Sequence, residues 1–313
     1  MQFGIQIEPQ FGFTFDDVRE IALEAEARGF TGLWCSDHLF LNRDAVDTNC
    51  LEIWTLLAAL AQHTTRLRLG SMVTAVSYRN PALLAKIAAG VDVMSGGRLE
   101  FGIGAGWKEL EYRAYGYEFP APAVRIGQVA EAIEICRRLW TERRASYAGR
   151  YFRVEDALCA PKPAQRPHPR VWIGGSRPRM LRLMARYADA VNIGGFPSLE
   201  TYAAAMKDLD AACRAIGRDP AEIARSHFVL CVVAETRRDL DATIDELAAD
   251  AKMTTAEWRA SRSSTILGTP DEVVERLRSF ERLGCRYFLP VFPYRRELEM
   301  VRVLAEHVMP ALA

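Results

Sequence analysis

"GRLEFGIGAGW", residues Gly97–Trp107, is an apolar run that reaches alternating glycines and stops on a tryptophan. Leu99, Phe101 and Ile103 suit a buried strand, and the glycines suit either a tight turn or a close approach of backbone to a ligand. The stretch lies between two helical patterns. Upstream, NPALLAKIAAGVDVMSGG (Asn80–Gly97) has Pro81 at its opening; downstream, QVAEAIEICRRLWTE covers Gln128–Glu142. A strand set between helices is one βα unit, and the rest of the chain repeats it.

Further strands are read at Phe3–Ile7, Thr31–Asp37, Arg66–Val76, Arg170–Ser176, Asp189–Gly195, Ser226–Glu235 and Cys285–Phe292. Each is followed by a helical period, the first being TFDDVREIALEAEARGF, which Thr14 can cap and Gly29 stops. Alternating strands and helices imply parallel strands, arranged as an open doubly wound sheet or a closed barrel. The number of units and the continuous apolarity of the strands favour a single (β/α)8 TIM barrel spanning residues 1–313. Insertions fall at 38–50, 107–124, 143–169 and 253–268.

The chain has 313 residues, with 40 Lys+Arg against 40 Asp+Glu. That balance gives no reason to expect nucleic acid or an anionic membrane as a partner. Cys35, Cys50, Cys136, Cys159, Cys213, Cys231 and Cys285 are scattered without a C-x-x-C pair, as expected of reduced thiols in a cytoplasmic protein. The start, MQFGIQIEPQ, lacks the features of a signal peptide, and no apolar run is long enough to span a bilayer.

In such barrels chemistry sits where strands end. Strand two ends on Ser36, Asp37 and His38. Strand three ends on Gly70, Ser71, Met72, Val73 and Thr74, with Arg79 read as a surface ion pair. Strand four ends on Gly102, Gly104, Ala105, Gly106 and Trp107; Lys108, Glu109 and Glu111 follow as a solvated run that could supply an acid. This is G-x-G-x-G, with Trp107 where a dinucleotide fingerprint needs a small residue. Strands five and six end on Gly174, Gly175, Ser176 and on Asn192, Gly194, Gly195, with Arg177 and Arg179 nearby; plain turns and a phosphate cradle both fit.

The five histidines show no metal-binding spacing, so no metal site is expected. No strand-end lysine suits a Schiff base and no G-x-S-x-G elbow exists, which leaves a bound organic cofactor to carry the chemistry.

Taken together, GLWCSDH, RLRLGSMVTAVSYRNPALLAK, GGRLEFGIGAGWKELEYRAYG, YFRVEDALCAPKPAQ, VWIGGSRPRMLRLMARYADAVNIGG and LGTPDEVVERL resemble the luciferase-like monooxygenase superfamily. Among its members the chain looks most like the branch that uses the deazaflavin coenzyme F420. The resemblance implies a barrel with the tricycle over the strand ends. Asp37 and His38 would border the ring, with His38 as acid/base. Met72–Val73, after Ser71, would be a non-proline cis peptide against one ring face. Gly104, Ala105, Gly106 and Trp107 would line the ring, Trp107 closing the pocket wall. Gly174, Gly175 and Ser176, with Gly194 and Gly195, would hold the phosphate.

The family's deazaflavin-dependent sugar-phosphate dehydrogenases carry a glutamate where Trp107 stands, so the resemblance points away from sugar phosphates. It implies hydride transfer with a small apolar substrate in a cavity edged by Phe11, Phe13, Phe40, Trp107 and Tyr115. The alternatives are an FMN-dependent monooxygenase using reduced flavin and oxygen, and a non-catalytic flavin-binding barrel. Members of the family often dimerise through first-half helices, and LEIWTLLAALA (Leu51–Ala61) is apolar enough for a homodimer.

Overall fold

A computed structural model describes residues 1–313. The barrel strands are β1 (Gln2–Ile7), β2 (Gly32–Cys35), β3 (Arg68–Ser71), β4 (Leu99–Gly104), β5 (Arg170–Gly174), β6 (Ala190–Asn192), β7 (Ala224–Val233) and β8 (Tyr287–Val291). Each runs parallel to its neighbours, and β8 closes on β1 through Gln2↔Tyr287, Phe3↔Phe288 and Gln6↔Val291. Closure leaves no barrel strand with an unpaired edge.

The helices follow in chain order. They are α1 (Phe15–Ala27), α2 (Ile53–His63), α3 (Pro81–Met94), α4 (Glu109–Ala114), α5 (Pro122–Thr141) and α6 (Pro178–Tyr187). Then come α7 (Leu199–Arg214), α8 (Arg237–Asp250), α9 (Thr255–Ser261), α10 (Pro270–Arg282) and α11 (Glu297–Val303). Thr14 caps α1 in a capping box with Asp17, as its sequence implies. Asn80 accepts from the first amides of α3 and Pro81 sits in its first turn, where a missing N–H costs nothing.

Alternation along each strand separates two cores. Phe3, Ile5, Leu33, Leu69, Phe101, Ile103, Val171 and Ile173 face the helices and join the main apolar core. Trp34, Trp172, Tyr287 and Leu289 belong to a separate inner cluster that plugs the barrel. The Trp34 and Trp172 rings lie 4.4 Å apart, centre to centre. Glycines opposite them make the room: a Cβ on Gly70 would come 2.1 Å from the Trp34 ring. Beneath the plug, buried Glu100 accepts from the Trp172 indole at 2.5 Å and pairs with Arg68.

Three features depart from the sequence reading. The expected strand Arg66–Val76 is broken: it stops at Ser71, passes a cis Met72–Val73 peptide, and resumes as Thr74–Ala75 on β4. The 143–169 insertion holds an antiparallel hairpin, Ala145–Ala148 with Arg153–Ala157. The 253–268 insertion holds α9 and a short strand, Ile266–Gly268, beside β7. The apolar face of α2 (Ile53, Trp54, Leu56, Leu57, Leu60) is buried within the protomer, so it argues nothing about a second copy. All seven cysteines are free, and no helix is long and apolar enough to cross a membrane.

Candidate active site

The glycines of β4 answer to backbone and side-chain atoms of this chain. A Cβ on Gly102 would come 1.7 Å from the Ser71 carbonyl oxygen, and the Ser71 hydroxyl donates to the Gly102 carbonyl at 2.8 Å. A Cβ on Gly104 would meet Val73 Cγ2 at 2.5 Å, and one on Gly174 would meet both Val73 methyls at 3.1 Å. Gly102 and Gly104 therefore admit the Ser71–Val73 turn, and Val73 ends as a half-buried apolar shelf between two glycines at the mouth. Gly106 has a left-handed φ of +69° and packs on the Tyr112 hydroxyl. The expectation that bare backbone passes under a ligand is corrected here: Val73 is the surface presented. Ala105 is partly buried, and its carbonyl accepts from Arg125 Nε at 3.2 Å.

Asp37 is committed to the fold. Its carboxylate accepts from Arg79 Nη1 at 2.7 Å, Arg79 Nη2 at 3.1 Å and the Ala75 amide at 3.0 Å, with only 1% of its side chain exposed. Arg79 also pairs with Glu52 and has 12% of its side chain exposed, so it is a partly buried strut rather than a surface ion pair. The strut ties β2 to the chain just after Val73 and fixes where both begin.

His38 and Glu111 come together. His38 Nδ1 lies 3.0 Å from Glu111 Oε2 and 3.1 Å from Oε1. Glu111 is fully buried on α4, not on a solvated run. It also accepts from Tyr78 Oη at 2.8 Å, Lys108 Nζ at 3.0 Å and the Leu39 amide at 3.1 Å. Burial pushes this carboxyl up, but donors from His38, Lys108 and Tyr78 outweigh it and hold the group down at about 2. Glu111 therefore stays ionised, and its chemistry is that of a fixed acceptor rather than an acid. A carboxylate at Nδ1 holds the Nδ1–H tautomer and leaves Nε2 as the nitrogen without a partner.

Trp107 stands beside His38 edge to face, ring centres 5.6 Å apart, and is 72% exposed. It marks the rim of the mouth rather than closing a wall. Phe40 and Tyr115 stack at 6.3 Å, and exposed Phe196 lies over Phe228 at 4.9 Å. Phe13 is buried against Tyr294, ring centres 4.8 Å apart, where the sequence reading set it at the edge of a cavity. A cavity of about 620 Å³ lies between the 38–50 insertion and α4, bordered by Leu39, Phe40, Val46 and Leu110. It is beside the His38–Glu111 pair, not over the barrel axis.

At the opposite side of the mouth, β5 and β6 are adjacent, pairing Gly174 with Asn192. The Gly175 amide is used, donating to the Asn192 carbonyl at 3.0 Å. Ser176 is exposed, and the first turn of α6 has no side-chain cap. At Gly194 and Gly195 nothing lies within 4 Å of where a Cβ would be. This open backbone, beside an uncapped helix start, fits a phosphate group.

Sequence reading missed a polar cluster at the end of β1. Glu8 accepts from Gln6 at 3.0 Å, Gln10 at 2.6 Å and Ser36 at 2.9 Å. The signal was present: Gly4, Gln6 and Glu8 alternate with outward Phe3, Ile5 and Ile7, so polar side chains enter the mouth from β1. Tyr78 was missed as well, because only the fold brings it to Glu111.

An apolar shelf, a carboxylate-bound histidine and an open glycine-lined edge lie together at the mouth of a (β/α)8 barrel. The chain belongs to the luciferase-like monooxygenase family, whose sequence pattern matches residues 1–287. It is 27% identical to an F420-dependent glucose-6-phosphate dehydrogenase of Microbacterium testaceum, covering 100% of this chain and 97% of that one. It is 25% identical to an FMNH2-dependent dimethylsulfone monooxygenase of Pseudomonas putida, covering 97% and 90%. Its fold is that of the monooxygenase RslO1 from Streptomyces bottropensis, with a TM-score of 0.84 at 24% identity and full coverage of both chains.

Proposed function

We propose that the protein is an oxidoreductase that moves a hydride between coenzyme F420 and a carbon of a small, largely apolar substrate. The observation that carries this reading is the His38–Glu111 pair at the mouth, 3.0 Å apart, facing the rim residue Trp107. The full-length likeness to an F420-dependent enzyme supports the choice of cofactor.

The residues present suit such a cofactor. Val73 would support one face of the ring, and Gly194, Gly195 and Ser176 would hold the phosphate. Bound there, the deazaflavin supplies a two-electron hydride carrier. The chain supplies the rest. Glu111 fixes His38 through Nδ1, so Nε2 exchanges the proton that accompanies hydride movement. The Glu111 carboxylate holds the imidazole ring in place from the Nδ1 side. Trp107 and Phe196 offer exposed aromatic surface to an apolar substrate, and orienting it at the mouth contributes to rate.

The test is a titration of the purified chain with F420 and, separately, with FMN, followed by absorbance and fluorescence. Tight F420 binding, with slower turnover in His38→Gln at unchanged cofactor affinity, is the expected result. FMN retained in place of F420 would sink the deazaflavin reading and set the chain beside its FMNH2-dependent relative. Tight binding with no turnover of any alcohol, carbonyl or activated alkene would leave a flavin-holding barrel.

A further inference from the structure

We infer that the outer face of α6 is a docking strip for a chain of carboxylates, the oligoglutamate tail that F420 carries beyond its phosphate. The inference rests on the F420 reading above and extends it along the surface.

The segment Arg170–Ala188 holds five arginines and no acidic residue, in a chain whose charges otherwise balance at 40 and 40. Arg177, Arg179, Arg182 and Arg186 are all exposed. None forms an ion pair, although Arg170 before them and Arg218 after them do. None donates a side-chain hydrogen bond either. Arg179, Arg182 and Arg186 are spaced three and four apart, so they lie on one face of the helix. That face extends about 10 Å along the axis. It begins beside the open backbone of Gly194 and Gly195, because α6 starts directly after β5 and β5 pairs with β6. Of the acidic groups near its far end, Asp189 accepts from the Val171 amide at 2.8 Å and Glu134 on α5 is turned to the Tyr187 hydroxyl.

Unpaired arginines on a neutral protein repel one another and gain from an anion. FMN ends at its phosphate and would leave this strip unused. F420 continues from its phosphate through a lactyl group into γ-linked glutamates, each with a free carboxylate. A tail leaving the glycine cradle meets Arg177 and Arg179 first, then Arg182 and Arg186. The guanidinium fork matches a carboxylate in shape as well as charge. Exposed pairs are individually weak, so the strip adds about tenfold to affinity, and salt screens it.

The experiment measures the dissociation constant of the full chain for F420 without glutamates, with a short tail and with a long tail. Affinity should rise about tenfold with tail length at low salt, and the rise should vanish near 0.5 M salt. Arg179→Gln/Arg182→Gln/Arg186→Gln should bind the tailless form as the wild type does, and bind all tail lengths equally. Arg182→Gln alone should show a partial loss, which covers poor folding of the triple variant. Equal wild-type affinity for tailless and tailed forms would overturn the inference and leave the F420 reading standing. So would a triple variant that keeps the full gain, or a strip that holds heparin or anionic vesicles and is indifferent to the tail. Failure to bind any form of F420 would instead overturn the parent reading.

Discussion

Glu111 accepts from His38 Nδ1 at 3.0 Å while exposing no surface of its own to water. The two residues come from separate segments, His38 after β2 and Glu111 on α4, and the contact makes the imidazole tautomer a property of the fold. Glu111→Gln should keep the size of the side chain and lose the fixed charge. We expect kcat to fall about 10²-fold with a small change in KM. Cofactor affinity should stay unchanged, which a mere collapse of the mouth would not allow. An unchanged kcat in a folded Glu111→Gln protein would remove Glu111 from the proton-transfer arrangement.

Two glycines at the mouth separate a folding role from a binding role. Gly104→Ala would set a Cβ 2.5 Å from Val73, so the shelf must shift. Overpacking of this kind costs about 1–3 kcal/mol, and cofactor affinity should drop with it. Gly194→Ala meets nothing within 4 Å, so its urea midpoint should match the wild type. If phosphate lies against Gly194, its affinity for the cofactor should still fall about tenfold or more. An unaltered dissociation constant for Gly194→Ala would move the phosphate elsewhere.

The fold was legible because its signal is local and repeated: apolar strands, helical periods and glycine stops recur through the chain. The glycines of β4 were visible as glycines, but what fills them was not. Gly104 is paired with Val73 and Gly106 with Tyr112 only after the barrel closes. Glu111 shows the same limit. In sequence it sits in a charged run, and only the 38–50 insertion folding over α4 buries it beside His38. Asp37 was visible as a strand-end acid, yet its partner Arg79 turns it into a strut. Trp107 was visible as a large residue where a glycine was wanted, but its exposure depends on loops with no periodic signal.

Glu297, at the start of α11, gives a stability prediction of opposite sign to Glu111. Burial raises its carboxyl to about 7, against backbone donors that lower it. A carboxyl raised in the folded state contributes stability that is complete below the ordinary carboxylate range. That contribution is lost as pH rises through about 7. Glu111, held down at about 2, contributes above the ordinary range and loses it as pH falls. Glu297→Gln should therefore stabilise the protein at pH 8, by up to roughly 3 kcal/mol, and change little at pH 4. Urea unfolding of both proteins at the two pH values checks it; an equal difference at both would refute the burial argument.

Trp107 supplies its own reporter. Of the six tryptophans, Trp34, Trp54, Trp140, Trp172 and Trp258 are at most 3% exposed, whereas Trp107 is 72% exposed. Acrylamide, which quenches by collision, should therefore act on one population in the free protein. Trp107→Phe should abolish that component while leaving stability within about 0.5 kcal/mol, as expected for an exposed rim position. Binding of a planar ring on Val73 should shield Trp107, because the indole stands against His38 at the same mouth. Saturating cofactor should then reduce the quenching constant several-fold. If the constant is the same with and without bound cofactor, the ring does not lie beside Trp107, and the residue cannot contribute to substrate recognition there.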